Sequence, residues 1–359
     1  PLKSETYDAL YLKLRIAKRR AALWIALNDL ADTWPLEVVT KNLSEFADKA
    51  INLSWRASFL KELKKGKFPK QYDGDPNKVG FFILAMGKLG AFELNYSSDI
   101  DLICFFDEEV FHPEDFQNVR RIFINATKNM YRILNENGKD GYVFRTDLRL
   151  RPDPSVTPVC MGVDAAERYY ASLGRTWERA AFIKARVCAG DHSAGSKFLN
   201  NMEPFVWRKY LDYAAISDAH DIRLRIRDHF KTKIGDITLP QHNMKLGRGG
   251  IRDIEFFTQT HQIIFGGRDK GLRSKATITA LRAIADKKWL PKALIKDLIE
   301  NYRFHRTIEH RLQMINDAQT HELPNSDQGF VRLASLMGTE KDDLQKELVE
   351  RLSKTNNAI

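Results

Sequence analysis

The sequence predicts an α+β fold that is mostly α, in which a small mixed sheet is flanked by an N-terminal helical segment and a C-terminal helical bundle. Apolar residues recur every three or four positions in the first and last thirds of the chain, which is the spacing of helices. Short, continuous apolar runs lie between residues 79 and 151, as expected of buried strands. We therefore expect three segments, namely residues 1–76, 77–190 and 191–359.

The composition is that of a globular protein. The 359 residues are 43% hydrophobic and 29% charged, with a formal net charge of +10, so a core can form and disorder is excluded. Charged residues interrupt every long apolar stretch and no signal-peptide pattern is found, so we expect a cytoplasmic protein without a membrane span. The three cysteines include no CxxC pair, which argues against a disulfide framework or a cysteine zinc site. Positive charges are dispersed among acids, which argues against nucleic acid as a partner.

Two helices are predicted in the N-terminal segment. Leu23, Leu27 and Leu30 share one helical face. A second helix follows Pro35, a residue suited to a first helical turn. We expect this second helix to dock on the rest of the protein through its apolar positions, which are Leu36, Val39, Leu43, Phe46, Ala50 and Leu53. Residues 64–78 contain several turn-forming residues and few apolar ones, which predicts a linker.

The middle segment is predicted to carry the sheet. Strands are expected at Val79–Met86, Ile100–Phe106 and Tyr142–Arg151, with a loop or short helix beginning at Gly87. An amphipathic helix begins at Pro113. Its apolar face is formed by Phe116, Val119, Phe123, Ala126, Met130 and Ile133.

Helices are predicted for most of the remaining chain. Asp164 and Ser274 are suited to N-cap positions. Residues 177–186 are expected to form one helix with Trp177 in the core. A long helix is expected over residues 295–315. A solvated or partner-facing side of that helix is formed by Arg303, Arg306 and Arg311.

A pair of aspartates is the pattern that points to chemistry. Asp99 and Asp101 are two residues apart, so they point to the same face of a strand. Two carboxylates on one face repel each other unless a cation lies between them, and oxygen ligands of this kind suit Mg²⁺ or Mn²⁺. The alternative is an exposed strand or a turn, which explains most isolated Asp-x-Asp pairs.

Two neighbouring features favour the metal site. Gly87 and Lys88 follow a buried strand, where a glycine lets backbone N–H groups approach a phosphate and a helix N-terminus favours an anion. The third predicted strand supplies Asp147, and alternation places Arg149 on the same face, where it is suited to a phosphate. Three carboxylates on neighbouring strands can hold two metal ions about 4 Å apart. The indicated reaction class is nucleotidyl transfer, and the spacing alone leaves its direction open.

Several motifs, in order along the chain, carry a resemblance to a known family. They are Gly87-Lys-Leu-Gly-Ala-Phe-Glu-Leu-Asn-Tyr-Ser-Ser-Asp-Ile-Asp-Leu102, Asp147-Leu-Arg-Leu-Arg-Pro152, Trp177-Glu-Arg179, Lys184-Ala-Arg186, Leu246-Gly-Arg-Gly-Gly-Ile-Arg-Asp-Ile-Glu-Phe256, Glu309-His-Arg-Leu-Gln313 and Gln319-Thr-His-Glu-Leu-Pro324. This set, over about residues 80–325, resembles the bifunctional glutamine synthetase adenylyltransferase/adenylyl-removing enzymes, which are polymerase β-like nucleotidyltransferases. Members carry two nucleotidyltransferase halves, so this single copy without an initial Met looks like an excised half. The motifs are more similar to those of the amino-terminal, adenylyl-removing half.

The resemblance implies a reaction, ligands and partners. It implies that AMP is removed from an adenylylated tyrosine of glutamine synthetase by phosphorolysis, with ADP as product, in the control of nitrogen assimilation. Three carboxylates are implied to be catalytic and to bind two Mg²⁺ or Mn²⁺ ions: Asp99, Asp101 and Asp147. Four further residues are implied to bind phosphate and the ADP or ATP nucleotide: Gly87, Lys88, Ser98 and Arg149. The implied partners are adenylylated glutamine synthetase and the uridylylated PII signal protein.

The sequence leaves three other functions open. The same carboxylates suit the forward reaction, adenylylation of glutamine synthetase from ATP. An RNA nucleotidyltransferase would use the same triad, but the expected basic stripe with interleaved aromatic residues is missing. A catalytically silent module that binds PII or glutamine synthetase is the third alternative, and the intact carboxylate triad argues against it.

Overall fold

The chain packs as two compact units. The computed structural model describes residues 7–72, 74–209 and 237–359. The first unit consists of the described residues up to Leu27, together with Glu37–Leu94 and Ser98–Val206. The second unit consists of Asn28–Leu36, Asn95–Ser97 and the described residues from Trp207 onward. The predicted fold class is confirmed, because helices predominate and flank a small mixed sheet along the chain.

The sheet of the first unit has five short strands. They are β1 (Phe81–Ala85), β2 (Ile100–Phe106), β3 (Thr146–Asp147), β4 (Cys160–Gly162) and β5 (Arg186–Gly190). The strand order is β3-β2-β1-β5, and β4 also pairs with β2. β1 is antiparallel to β2 and β5, whereas β2 is parallel to β3 and β4. All five residues of β1 are buried, as its continuous apolar sequence predicts.

Eight helices accompany the sheet in the described part of the chain up to residue 209. They are α1 (Tyr7–Leu30), α2 (Leu36–Leu63), α3 (Gly87–Gly90), α4 (Phe116–Asn135), α5 (Val163–Ser172), α6 (Thr176–Ile183), α7 (His192–Asn201) and α8 (Glu203–Val206). The core joins α2, β1 and α4 through aromatic rings. Trp55 stacks on Phe81 with ring centroids 3.6 Å apart, and Phe123 packs against both. The predicted helices that begin near Leu36 and after Pro113 are therefore confirmed.

Several local predictions are wrong. The third strand is only Thr146–Asp147, because the chain turns after Asp147. Residues 177–186 do not form one helix, since α6 ends at Ile183 and β5 begins at Arg186. Trp177 is 41% exposed, so it is not a core residue.

Two helix caps also differ from expectation. Gly162 is the N-cap of α5, and Asp164 lies in the first turn instead. The helix that begins at Thr277 has Ala276 as its N-cap, so Ser274 lies two residues before the cap.

The N-terminal segment confirms one expectation and departs from another. The second helix docks on the rest of the first unit, because Val39, Leu43 and Ala50 of α2 are buried. The predicted linker is part of the first unit, because the ring of Tyr72 packs on Phe111 with centroids 4.9 Å apart and its hydroxyl donates to Asp115.

The second unit is a helical bundle, as predicted. Its helices are α9 (Ile251–Phe265), α10 (Thr277–Asp286), α11 (Lys292–Asn316), α12 (Asp327–Met337) and α13 (Lys341–Ala358). One hydrophobic cluster includes Ile308, Leu312, Leu333 and Leu348, and another includes Ile254, Leu281 and Leu298. Both clusters draw on α11, which is therefore the central helix of the bundle. Among the described helices, none combines the length and the apolar character needed to cross a membrane.

A buried polar network lies along α11 in the second unit. Asn95 donates from Nδ2 to Glu309 at 2.6 Å and accepts from Arg306 at 2.5 Å. Arg311 forms a 2.8 Å ion pair with Asp29. Both arginines are buried, so the predicted solvated side of this helix is wrong at these two positions. Their charges are paired inside the unit, which is the condition under which buried arginines occur.

Candidate active site

Two of the predicted catalytic aspartates are direct neighbours in the sheet. Asp101 on β2 and Asp147 on β3 are Cα partners in a parallel pair. Neighbouring strands lie about 4.8 Å apart, so the two carboxylates leave the same short stretch of the sheet. Asp99 immediately precedes β2, which begins at Ile100. The chain therefore brings the three predicted aspartates to one end of β2.

A single helical turn lies against Asp101. α3 comprises only Gly87–Gly90 and carries Lys88, which is half-buried. Gly87 has a φ of +52°, a backbone conformation that side-chain-bearing residues rarely adopt. A Cβ at this position would lie 2.7 Å from Oδ2 of Asp101. Glycine is therefore required for two reasons, the backbone conformation and the close approach of this carboxylate.

Arg149 binds the carboxylate of Asp147. The Arg149 backbone N–H donates to Oδ1 of Asp147 at 2.7 Å, and its Nη2 donates to Oδ2 at 2.6 Å. This arginine holds the pKa of Asp147 below its usual value, against the opposing effect of partial burial. The Asp147 contacts raise the pKa of Arg149, and the charges of Asp99 and Asp101 add to this shift. Arg149 thus lies near all three carboxylates. It is brought there by the turn that follows Asp147 and not by the alternation of side chains along a strand.

Arg149 and Arg151 do not lie on a strand, although the third strand was predicted to extend to Arg151. Arg151 donates to the backbone oxygens of Leu148, Pro154 and Thr157, so it holds together the loop that follows β3. Ser98 is half-buried and directly precedes Asp99. The expected roles of Ser98, Lys88 and Arg149 in binding phosphate or nucleotide stay predictions.

The carboxylate oxygens at this edge of the sheet are the type of ligand that a hard cation such as Mg²⁺ prefers. Asp101 and Asp147 are carboxylates on adjacent strands, and the Arg149 guanidinium already acts as a counter-cation to one of them. Throughout residues 7–72, 74–209 and 237–359, no three acidic, histidine or cysteine side chains are grouped closely enough to hold a metal ion. A metal ligated by Asp147 would have to displace Arg149, so the metal triad stays a prediction.

Sequence reasoning missed the side chains that support the α3 turn. Lys184 and Arg186 were expected on a helix, but they border β5 and are buried. Arg186 pairs with Asp48 of α2 at 2.7 Å. The available signal was two basic residues, separated by Ala185, within an otherwise apolar run. Glu178 has a local structural role, because it accepts from the backbone N–H of Arg175 at the start of α6.

Comparison with known families matches the chain in two parts. A family model described as glutamate-ammonia ligase adenylyltransferase matches residues 2–201. A second model, described as GlnD PII-uridylyltransferase, matches residues 220–359. The boundary between the two compact units, Val206/Trp207, falls between the two matches.

Curated relatives align with most of the chain. Three are named bifunctional glutamine synthetase adenylyltransferase/adenylyl-removing enzyme. The one from Rhizobium meliloti (strain 1021) is 46% identical over 344 residues, which is 96% of this chain and 35% of the relative. The one from Bradyrhizobium sp. (strain BTAi1) is 46% identical over 331 residues, 91% of this chain and 33% of the relative. The one from Rhodopseudomonas palustris (strain TIE-1) is 43% identical over 355 residues, 97% of this chain and 35% of the relative. The chain therefore spans about a third of the length of these relatives.

Proposed function

Because the chain belongs to the glutamate-ammonia ligase adenylyltransferase family, whose model matches residues 2–201, we propose that it is a nucleotidyltransferase that removes AMP from the adenylylated tyrosine of glutamine synthetase. The names of the relatives contain two opposite activities, and the chain spans only about a third of each relative. Three motifs support removal as the activity of this part, because they resemble the adenylyl-removing half: Ser97-Ser-Asp-Ile-Asp101, Asp147-Leu-Arg-Leu-Arg151 and Ile251-Arg-Asp-Ile-Glu255.

The proposed reaction is phosphorolysis. An oxygen of inorganic phosphate forms a bond to the phosphorus of the AMP group, and the bond from that phosphorus to the tyrosine oxygen breaks. The tyrosine oxygen keeps the electron pair and takes up a proton, so the products are ADP and unmodified tyrosine. A phenolate is a fairly good leaving group, so the reaction depends on positioning and charge more than on a strong general acid.

The residues at the end of β2 divide the proposed work. Asp99, Asp101 and Asp147 would hold Mg²⁺ or Mn²⁺, which when bound supplies positive charge that offsets the charge of the phosphoryl oxygens. Lys88 and Arg149 bind and orient the phosphate and adenylyl oxygens, which suits their positive charge. Gly87 leaves room for the carboxylate of Asp101. The register pairing of Asp101 with Asp147 is the observation that carries this assignment.

The proposed partners follow from the family and from the second match. Adenylylated glutamine synthetase is the proposed substrate. The uridylylated PII protein is the proposed regulator, and the similarity of residues 220–359 to a PII-uridylyltransferase model supports this. Binding of PII is therefore expected in the second unit.

Parallel assays of the two reaction directions test the proposal. The chain is incubated with adenylylated glutamine synthetase, phosphate and Mg²⁺, and separately with unmodified glutamine synthetase and ATP, each with and without uridylylated PII. We expect ADP from the first mixture and no incorporation of AMP in the second. Incorporation of AMP without ADP formation would assign the forward reaction instead.

A pair of variants tests the carboxylate assignment. We expect Asp101→Asn to slow ADP formation by roughly 10²–10³-fold, because charge stabilisation in the transition state is lost. The matched control is Asp343→Asn, at an exposed aspartate of α13 in the second unit, which should leave the rate unchanged. Unaltered melting temperatures for both variants would show that folding is intact. A fully active Asp101→Asn variant would exclude the assignment.

A further inference from the structure

Two buried basic side chains converge on the segment that begins with the α3 turn. Lys184 and Arg186 flank Ala185, where α6 has ended and β5 begins. Both are buried, with 6% and 9% of their surfaces exposed. Three of their partners, Leu89, Phe92 and Glu93, lie within residues 87–93, and the fourth, Asp48, lies on α2.

Arg186 makes three kinds of contact. Its Nη2 donates to Oδ1 of Asp48 at 2.8 Å and its Nη1 lies 2.7 Å from Oδ2, so both nitrogens of the fork are engaged. Nη2 also donates to the backbone oxygen of Leu89 at 3.0 Å. The guanidinium carbon stands 3.7 Å from the ring centroid of Phe92, which is a cation–π contact. One planar group therefore links α2 to two points of the segment, which a lysine could not do.

Lys184 holds the end of the same segment. Its Nζ donates to Oε2 of Glu93 at 3.0 Å, and both side chains are nearly buried. The backbone oxygen of Lys184 is so close to Gly90 that a Cβ there would lie 2.0 Å from it. The segment is thus held to Lys184 in two ways, by the close backbone approach at Gly90 and by the buried ion pair with Glu93.

The held segment is strained and tightly bonded. Phe92 has a φ of +59°, which is uncommon for a bulky residue and persists only where the surroundings fix it. The amide of Gly90 donates to Met86 and the amide of Glu93 donates to Lys88, at 2.9 Å and 2.8 Å. Buried ion pairs are often no more stabilising than apolar side chains of the same size. Their presence here is better explained by the conformation that they impose.

We propose that Arg186 and Lys184 are positioning residues that fix the α3 turn, and through Gly87 the carboxylate of Asp101. The backbone N–H of Met86, the residue before the turn, donates to the backbone oxygen of Asp101 at 2.9 Å. Gly87 has no side chain on the side where Oδ2 of Asp101 lies, so a displacement of the turn changes the space and the backbone contacts around this carboxylate. The contacts described above join these two side chains to Asp48, Leu89, Phe92 and Glu93, so the proposed effect on the reaction is indirect. The kinetic part of this inference rests on the proposed phosphorolysis, whereas the effect on the turn does not.

The test compares the same substitution at two buried arginines of the first unit. Arg186→Met removes the fork that holds the turn. Arg179→Met is the matched control, because Arg179 is 2% exposed and donates to the backbone oxygens of Phe205 and Val206, away from the turn. Both variants lose a buried guanidinium, so both are expected to melt at a lower temperature.

Hydrogen exchange separates positioning from general stability. In Arg186→Met we expect the amides of residues 90–93 to exchange at least about 10-fold faster, while in Arg179→Met they keep the wild-type rate at a temperature well below melting. Equal exchange of these amides in the two variants would overturn the proposal. Should Arg186→Met fail to fold, Arg186→Lys keeps the charge but loses the fork, and the same acceleration is expected.

Kinetics tests the link to the carboxylates. We expect Arg186→Met to lower kcat for ADP formation by about 10- to 100-fold with little change in the KM for glutamine synthetase, because geometry and not substrate binding is disturbed. Faster exchange of the turn with an unchanged kcat would overturn the positioning role. A wild-type chain that makes no ADP would refute the proposed function, and the exchange result would still decide whether these residues fix the turn.

Discussion

Asp101 and Asp147 are Cα partners in the parallel pair of β2 and β3, and the guanidinium of Arg149 bonds the carboxylate of Asp147. Arg149 lies 82% exposed above this carboxylate, so it is held by the contact and not by burial. Surface ion pairs usually contribute about 1 kcal/mol or less, so a ligand of higher charge can displace such a contact. We therefore expect Arg149 to compete with a bound metal ion for Asp147, one ligand of the proposed triad.

Removal of Arg149 should change metal and phosphate binding in opposite directions. In Arg149→Met we expect Mn²⁺ to bind about 3- to 10-fold more tightly, because the metal no longer displaces a guanidinium from Asp147. The KM for phosphate should rise, because a phosphate-binding charge is lost. Titration with Mn²⁺ followed by electron paramagnetic resonance gives the first quantity, and initial rates give the second.

The matched control for this prediction is another exposed arginine–aspartate pair. Arg19 bonds Asp140 at 2.9 Å and is 58% exposed. Arg19→Met should alter neither Mn²⁺ affinity nor the KM for phosphate. Weaker Mn²⁺ binding in Arg149→Met would mean that Arg149 supports the carboxylates and does not compete at them.

Gly87→Ala should disable the site through the contact with Asp101. The added methyl would lie 2.7 Å from Oδ2, and the φ of +52° adds a backbone cost of about 1 kcal/mol. We expect a loss of ADP formation of about 10²-fold, since a misplaced carboxylate costs that much. Gly66→Ala isolates the clash, because Gly66 has a φ of +68° and no atom within 4 Å of the added Cβ. Similar activity of the two variants would contradict the close approach.

The elements with a strong repeat were predictable from the sequence. β1 is a continuous apolar run and β2 is apolar apart from Asp101, and α4 has an apolar stripe with the helical period. The pair of Asp99 and Asp101 could be placed at β2 for the same reason. The proximity of Asp147 followed from expecting a neighbouring strand, and the register of β2 and β3 agrees with it.

The sequence did not predict where the alternating pattern of a strand ends, nor which charged side chains are buried. In the sequence, polar and apolar residues alternate through Arg149. In the structure, the Asp147 carboxylate accepts a hydrogen bond from the Arg149 N–H, and the chain turns there. β4 has only three residues, which is too short for an alternating pattern of polar and apolar residues to be recognised. Arg306 was predicted on a solvated or partner-facing side of its helix, because a single sequence does not show that Glu309 compensates its charge in the interior. Such pairing depends on tertiary contacts between distant positions.

Substitutions of the buried pair on α11, Arg306 and Glu309, should have strongly non-additive effects on the free energy of unfolding. Arg306 Nε lies 3.3 Å from Glu309 Oε2, and both side chains are at most 1% exposed. Glu309→Leu should lower the free energy of unfolding by about 3–5 kcal/mol, because it leaves Arg306 buried with one charge partner fewer. The double variant Arg306→Leu/Glu309→Leu should lose much less than the sum of the two single variants.

An exposed pair on the same helix is the control for that cycle. Lys296 and Glu300 lie 3.8 Å apart with 76% and 48% exposure, so the coupling between them should be below about 1 kcal/mol. Urea unfolding followed by circular dichroism supplies the free energies. Additive losses at Arg306 and Glu309 would mean that the two charges are compensated separately, for instance by Asn95, which bonds both.

His305 should make the second unit sensitive to acid. Burial, with the nearby charges of Arg351 and His242, lowers its pKa to about 3. The unfolded chain has a histidine pKa of about 6.5. Between these values the unfolded state binds a proton that the folded state does not, so the free energy of unfolding falls as the pH drops below about 6.5. The slope from one such group is up to about 1.4 kcal/mol per pH unit.

The variant His305→Leu should therefore flatten the pH dependence. Denaturant unfolding at a series of pH values from 7 to 4 gives the slope for each protein, and the difference between variant and wild type should approach one proton near pH 5. His310 and Asp29 also titrate abnormally, but they are present in both proteins and cancel in the difference. Parallel curves for His305→Leu and wild type would show that His305 takes up its proton in the folded state as easily as in the unfolded one.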